Sequence, residues 1–86
     1  MKVLVSTHLH SYTGGKSELQ ARGATLGEVL ADLDARFPGI RFRMVDEQDR
    51  LRPHIRIFVG GEVARVLAQP VRPEDDVQIV GALSGG

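Results

Sequence analysis

One amphipathic helix is predicted by residues 25–37, which read TLGEVLADLDARF. Thr25 and Glu28 have the spacing of a capping box, in which the hydroxyl accepts from the N–H of residue 28 and the carboxylate accepts from the N-cap N–H. Apolar residues recur at intervals of three and four and would share one face of the helix: Leu26, Val29, Leu30, Leu33 and Phe37. Pro38-Gly39 disfavours helical backbone at the preceding residue. We therefore expect a helix over residues 26–36 with one buried face.

Two strand-like segments precede this helix. Residues 3–7 (VLVST) are rich in β-branched side chains, and residues 17–22 (SELQAR) are a weaker candidate for a return strand. Thr13-Gly14-Gly15-Lys16 between them is a turn signal, so the three segments predict an N-terminal hairpin. A phosphate-binding loop is not expected at this turn, because that motif has a longer glycine spacing and precedes a helix.

Further strands are predicted after the helix. Residues 54–59 (HIRIFV) alternate between apolar and other side chains, as a half-buried strand does. Gly60-Gly61 can supply both positive φ values of a two-residue hairpin turn, after which residues 62–65 return. Residues 67–76 are expected to form a loop, and residues 77–83 (VQIVGAL) the last strand.

Residues 40–45 (IRFRMV) fit either a short strand or a helical turn, so the predicted element order is β-β-α-(β)-β-β. A helix that connects strands of one sheet favours a right-handed crossover and a parallel neighbour. The result is an α+β fold of the β-grasp type. In this fold one main helix packs across one face of a mixed sheet, whose first and last strands run parallel at its centre. The whole chain, residues 1–86, is expected to form one domain.

Composition excludes several classes of site and partner. The chain has no cysteine, which excludes disulfides, thiolate zinc sites and a cysteine nucleophile. Eleven basic and eleven acidic residues cancel, so no global field favours nucleic acid or an anionic membrane. The apolar N-terminal run is too short for a signal peptide, and no segment reaches membrane-spanning length. The expected location is the cytoplasm.

The sequence ends in Ser84-Gly85-Gly86, directly after the predicted last strand. Glycine has no Cβ, so two in succession form a slim stalk that can thread a narrow channel. A terminal carboxylate, with a pKa of about 3.5, is ionised at neutral pH and needs activation before it reacts. We expect a flexible tail over residues 84–86 that carries the function and not the fold. The alternative is a frayed terminus without a role.

Together these segments resemble the MoaD/ThiS family of ubiquitin-like sulfur carriers, over essentially the whole chain. The resemblance is carried by Thr25-Leu26-Gly27-Glu28-Val29-Leu30, Ile57-Phe58-Val59-Gly60-Gly61-Glu62, Pro73-Glu74-Asp75-Asp76-Val77 and Ser84-Gly85-Gly86. Two further features resemble the branch that serves cysteine biosynthesis more closely than the molybdopterin branch: the turn Thr13-Gly14-Gly15-Lys16-Ser17, and the helix exit with Asp32-Leu33 followed by Pro38-Gly39-Ile40.

The resemblance implies a mechanism in which Gly86 is the reacting residue. An E1-like enzyme would use ATP to adenylate the Gly86 carboxylate, sulfur would displace AMP, and a thiocarboxylate would form on Gly86. A synthase of the cysteine, molybdopterin or thiamine type would then accept the sulfur. The chain would be a carrier and not an enzyme, with no bound cofactor and no catalytic residue of its own. The alternatives are a ubiquitin-like modifier conjugated through Gly86 and a plain protein-interaction domain.

The three histidines, His8, His10 and His54, do not predict a metal site. His8 and His10 would lie on one side of the chain if their segment were extended. A zinc site needs further ligands in fixed geometry, and no recognisable spacing supplies them. The sequence also contains no legible Ser-His-Asp set or pair of catalytic carboxylates.

An apolar patch is predicted on the sheet face opposite the helix. Phe58 and Val80 are expected there, and Leu83 lies near them beside the tail. Such a patch would be an interaction site for a partner protein. The alternative is that loop residues such as Leu51 or Leu67 cover it.

A group of arginines is the second candidate surface. Two aromatic residues, Phe42 and Phe58, lie near five of them in the sequence: Arg41, Arg43, Arg50, Arg52 and Arg56. RNA-binding surfaces combine these residue types. Acidic residues are interleaved at positions 46, 47 and 49, and they favour a solvated face or a surface for an acidic partner over nucleic acid.

Overall fold

The computed structural model describes residues 1–81, which form one mixed five-stranded sheet with helices packed on it. The strands are β1 (Lys2–Val5), β2 (Glu18–Gln20), β3 (Ile55–Val59), β4 (Glu62–Ala64) and β5 (Val77–Gly81). Within this range a 3-10 turn at Thr7–Leu9 precedes three helices, α1 (His10–Thr13), α2 (Leu26–Arg36) and α3 (Ile40–Met44). The strand order across the sheet is β2-β1-β5-β3-β4.

The strands β1 and β5 run parallel at the centre of the sheet, as the element order predicts. Val3 lies beside Val77 and Val5 beside Ile79 in this register. β5 pairs antiparallel with β3 on its other side, where Ile57 lies opposite Ile79. The edge strands β2 and β4 pair antiparallel with β1 and β3. The predicted β-grasp arrangement is therefore confirmed.

Helix α2 has the predicted bounds, and two side chains accept hydrogen bonds from backbone N–H groups at its N-terminal end. The Thr25 hydroxyl accepts from the N–H of Glu28 at 3.2 Å, as the capping box requires. The Glu28 carboxylate accepts from the N–H of Ala24 at 2.9 Å, one residue earlier than expected. Thr25 is extended (φ −133°, ψ 162°), and the N–H within reach of that carboxylate belongs to the residue before the cap.

The loop before β5 also caps the N-terminal end of α2. Its carbonyls at Gln69 and Leu67 accept from the N–H groups of Leu26 and Gly27, both at 2.9 Å. The first N–H groups of a helix have no partner within the helix, so these bonds attach the loop to α2.

The core lies between α2 and one face of the sheet. The predicted apolar residues of α2 are buried, except that Phe37, at its C-cap, is only partly covered. The sheet contributes alternate residues of its strands, as the pleat requires. Their fully buried members include Val3, Ile57, Val77 and Ile79.

The N-terminal strands pair as predicted, but the connection between them is not a simple hairpin turn. β1 ends at Val5, and residues 7–13 are helical where the sequence predicted continued strand and turn. Leu9, at the end of the 3-10 turn, is fully buried in the core. Gly14 and Gly15, with φ values of 68° and 87°, then form the turn into the short strand β2.

The structure also assigns residues 40–45 and the turn at Gly60-Gly61. Residues 40–45 are mainly helical: Ile40 and Met44 are buried, whereas Phe42, which a strand would place on the same face, is exposed. Gly60 and Gly61 have φ values of 57° and 87°, which confirms the predicted turn between β3 and β4. The last strand is described as far as Gly81.

Candidate functional site

The predicted tail, Ser84-Gly85-Gly86, lies outside the described residues, and so does Leu83. The last described residue is Gly81, at the end of β5. Gly81 is therefore the structural root from which residues 82–86 continue.

The root is attached to the segment that follows β1. The N–H of Gly81 donates to the Ser6 hydroxyl at 2.9 Å, and the N–H of Ser6 donates to the carbonyl of Ile79 at 3.0 Å. The His8 ring packs so closely on Gly81 that a Cβ built at position 81 would overlap it. A residue with a side chain therefore does not fit at position 81 while His8 stays in place. The sequence analysis did not predict this contact between His8 and Gly81.

The histidines are not arranged as a metal centre. His8 and His10 lie in the 3-10 turn and in α1, so the extended geometry that would align them is absent from this segment. The His8 and His54 rings meet edge to face with centroids 6.1 Å apart, and His10 Nε2 lies 3.4 Å from the carbonyl oxygen of Val5. Residues 1–81 contain no cluster of three or more potential metal ligands.

Phe58 and Val80 lie on the open face of the sheet, as predicted. Phe58 is opposite Gln78, and Val80 is opposite Arg56, so the two apolar side chains are diagonal neighbours on β3 and β5. Val63, which the sequence analysis missed, is directly opposite Phe58 on β4. Val63 and Val80 are 43% and 42% exposed, and Phe58 is half-buried. We refer to Phe58, Val63 and Val80 as the open-face patch.

Within residues 1–81, Val63 and Val80 stay exposed. Leu51 and Leu67, the residues considered as covers, pack against the buried core. Val63 could have been found from the sequence, because the glycine turn fixes its register opposite Phe58.

The arginine cluster divides into two groups. Arg41 pairs with Asp49 at 3.2 Å, and Arg50 pairs with Asp46 at 3.8 Å. Asp46 is held ionised: the backbone N–H of Arg50, 3.0 Å away, is the main cause that lowers its pKa from the ordinary value. The other predicted members of the cluster make no such pair among the described ion pairs, and neither does Arg65.

Arg43 and Arg52 contact aromatic rings. The Arg52 guanidinium lies 4.5 Å from the centroid of Phe42, a residue that is 56% exposed, and Arg43 lies 5.9 Å from the ring centroid of Tyr12. These are cation–π distances. Among the described residues, Thr13 is the single buried polar side chain. No described helix is long and apolar enough to span a bilayer.

Comparison with known proteins gives consistent results. A model of the ThiS family matches residues 3–86. Sulfur carrier protein CysO of Mycobacterium tuberculosis is 36% identical over 89 residues, which cover 98% of this chain and 96% of that protein.

Solved structures agree with this family match. A chain in the crystal structure of the Amycolatopsis orientalis BexX/CysO complex is 33% identical with a TM-score of 0.90, covering 99% of this chain and 98% of that one. SAMP1 from Haloferax volcanii is 25% identical with a TM-score of 0.78, covering 100% of this chain and 98% of that one.

Proposed function

This chain belongs to the ThiS family, and we propose on that premise that it is a sulfur carrier protein whose sulfur is held on Gly86. The observation that carries the proposal is that the family match extends through residue 86, so that it includes the diglycine. The likeness to sulfur carrier protein CysO over nearly the full length of both chains supports the same role.

The chemistry takes place at the carboxylate of Gly86. In an E1-like enzyme, one carboxylate oxygen attacks the α-phosphorus of ATP, and pyrophosphate leaves. A sulfur nucleophile then attacks the carbonyl carbon of the acyl-adenylate and displaces AMP, which leaves a thiocarboxylate. The carrier contributes a carboxylate on a stalk without side chains, since Gly85 and Gly86 can enter a narrow channel. ATP is a substrate of the activating enzyme, and the carrier itself binds no cofactor in this scheme.

The open-face patch is the surface by which the activating enzyme holds the domain. Val80 lies one residue before the root of the tail, and Phe58 and Val63 continue the apolar surface across β3 and β4. Apolar anchors of this kind supply most of the binding energy at protein interfaces, while the polar rim supplies less. Leu83 would extend the patch toward the tail.

A synthase of the cysteine-biosynthesis type is the proposed sulfur acceptor. The 36% sequence identity with CysO supports this choice. The resemblance of residues 13–17 and 38–40 to the cysteine-biosynthesis branch of the family supports it as well. The structure of a BexX/CysO complex is a precedent for a CysO-type chain held by a second protein.

The test is ATP–pyrophosphate exchange with the E1-like enzyme of the same organism, followed by intact mass of the chain. We expect exchange by the full-length chain and a mass gain that corresponds to one oxygen replaced by sulfur. The variant that lacks residues 85–86 should lose exchange and keep its thermal unfolding temperature. Retained exchange in the truncated chain would contradict the proposal.

The variant Gly86→Ala tests the channel argument separately. It keeps the carboxylate and adds one methyl group, so exchange should fall although the activated group is still present. Exchange at the wild-type rate would show that the stalk does not need to be free of side chains.

Protein modification through Gly86 is the second candidate function. The likeness to SAMP1, a small archaeal modifier protein, favours this alternative. Both roles begin with adenylation, so exchange does not separate them. Mass spectrometry does: a carrier accumulates the thiocarboxylate, whereas a modifier appears as glycine remnants on lysines of other proteins.

A further inference from the structure

Two surface depressions adjoin near the start of β3 and are lined by basic side chains. The larger, of about 470 Å³, is lined by residues that include Arg52, Arg56, Val63 and Arg65. The smaller, of about 280 Å³, is lined by Phe42, Arg43, Arg52 and His54. Arg52 belongs to both, and no carboxylate from residues 1–81 lines either one. We refer to Arg43, Arg52, Arg56 and Arg65 as the arginine rim.

The rim differs from the other arginines of the described chain in its partners. Within residues 1–81, four of the five other arginines pair with a carboxylate within 4.0 Å, namely Arg36, Arg41, Arg50 and Arg72, and Arg22 does not. Two members of the rim are held by carbonyls instead: Arg52 Nε donates to the carbonyl of Phe42 at 2.7 Å, and Arg56 Nη1 donates to the carbonyl of Pro53 at 2.8 Å. Carbonyls and aromatic rings orient a guanidinium without neutralising its charge, so positive charge accumulates here.

The rim borders the open-face patch and approaches the root of the tail. Val63 belongs to the patch and also lines the larger depression. Arg56 lies opposite Val80 in the sheet, and Ile55 lies opposite Gly81. An apolar centre bordered by charged side chains is the usual anatomy of a protein–protein interface.

We propose that the arginine rim binds an acidic polypeptide surface, namely the border of the active-site entrance on the enzyme that activates the tail. This inference rests on the proposed function. Positive charge beside the tail root would attract such an enzyme in an orientation that brings the root toward its entrance. Complementary charge at an interface mainly raises the association rate and its dependence on salt.

A protein partner fits the surface better than a nucleic acid. Nucleic-acid-binding domains carry a broad basic surface with a pI above about 9. This chain has a sequence pI of about 6.8 and a formal net charge of zero. The ion pairs of Arg41 with Asp49 and of Arg50 with Asp46 interrupt the basic surface next to the rim, so it does not form the continuous basic stripe that a phosphate backbone follows. Exposed Phe42 is the side chain on which an RNA base would stack. The test below therefore includes RNA binding as one of its outcomes.

The test uses charge reversal with a matched control. Arg43→Glu combined with Arg65→Glu removes two rim charges, and neither side chain makes a hydrogen bond within the described chain. Lys16→Glu combined with Arg22→Glu changes the net charge by the same amount at positions that line neither depression. A difference between the two double variants therefore reports local charge and not total charge.

The first measurement needs no enzyme. The ¹⁵N-labelled chain is titrated with an oligoglutamate peptide and, separately, with a single-stranded oligouridylate RNA. We expect peptide-induced chemical-shift changes at the rim, loss of these changes in the rim variant, and their retention in the control variant. Changes distributed over the whole surface, or stronger binding of the RNA at the rim, would overturn the proposal.

The second measurement is ATP–pyrophosphate exchange at increasing NaCl concentration. The rim variant should lower kcat/KM by about tenfold or more at low salt, with kcat unchanged and with a weaker salt dependence than the wild type. The control variant should behave like the wild type. If both variants keep the wild-type kcat/KM, the rim is not used. If the wild-type chain itself shows no exchange, the proposed function fails, and the peptide titration still decides whether the rim binds acidic polypeptide.

Discussion

The two faces of the five-stranded sheet are made by alternate residues of the same strands, yet they are covered very differently. On the face under α2, Val3, Ile57 and Val77 are fully buried. On the open face, Val63 and Val80 remain more than two-fifths exposed, although they lie in the same strands or in paired neighbours. On the open face these apolar side chains lie among polar neighbours such as Arg56 and Gln78, and within residues 1–81 they stay in contact with water.

This difference divides stability from recognition. Apolar area removed from water under α2 stabilises the fold by roughly 25 cal/mol per Å². The same kind of side chain on the open face still carries its unfavourable contact with water, and a partner can remove it. Substitutions on the covered face should change unfolding, whereas substitutions on the open face should change binding.

The largest effect is expected from Leu33→Ala on the covered face. Leu33 is fully buried in α2, so truncation should lower the free energy of unfolding by about 2–5 kcal/mol through lost burial and the cavity left behind. Urea titration measures this change. Val80→Ala on the open face is the matched control and should cost about 0.5 kcal/mol or less. Equal losses in the two variants would mean that the faces do not differ as described.

A smaller loss is expected where β5 leaves the sheet. Gly81→Ala places a Cβ against the His8 ring and should cost about 1–3 kcal/mol, as overpacking usually does. Adding His8→Ala should recover most of that loss, with His8→Ala alone as the control. Thermal unfolding of the three variants tests the contact, and a double variant as unstable as Gly81→Ala would contradict it.

Binding should respond to the open face without a loss of fold. Phe58→Ala is expected to weaken binding to the E1-like enzyme by about 1–3 kcal/mol, because it removes the largest apolar side chain of the open-face patch. Calorimetric titration measures the affinity, and circular dichroism checks the fold. Val66→Ala, an exposed apolar residue in the loop after β4, is the control and should bind normally. Unchanged affinity of Phe58→Ala would leave recognition to the tail and the rim.

The smallest effect concerns the start of the covering helix. Thr25→Ala removes the hydroxyl that accepts from the N–H of Glu28 and should cost about 1 kcal/mol. Thr25→Ser keeps an accepting hydroxyl and should stay close to the wild type. If the alanine variant is as stable as the wild type, the bonds from the loop carbonyls to Leu26 and Gly27 are sufficient to hold this helix end.

Local rules were sufficient for much of the fold. The period of the apolar residues and the cap at Thr25 predicted both ends of α2, because they act within a few residues. The glycine turn fixed the β3–β4 register, and the handedness of crossovers placed the first and last strands together. The open face followed from alternation along β3 and β5. The diglycine tail stays a prediction from the last residues of the sequence, since residues 84–86 lie outside the described residues.

Tertiary contacts decided what local rules left open or misplaced. Residues 40–45 fit two periods equally well in the sequence, and the helix is distinguished by buried Ile40 and Met44 with Phe42 exposed between them. Residues 7–13 are helical, and Leu9 within them is fully buried. In the sequence, Arg41 and Arg50 belong to the same cluster as Arg43. Only the structure shows that Arg41 and Arg50 pair with carboxylates and are therefore distinct from the arginine rim.

What the sequence determined by itself was the periodicity of each segment, the helix cap and the glycine turns. These are properties of a few consecutive residues, and the backbone expresses them wherever the segment lies. The tertiary structure alone decided which distant groups meet. Ser6 and Gly81, 75 residues apart, share a hydrogen bond at the root of the tail, and His8 excludes any side chain there. No local pattern records such a contact, because it exists only once β1 and β5 lie side by side.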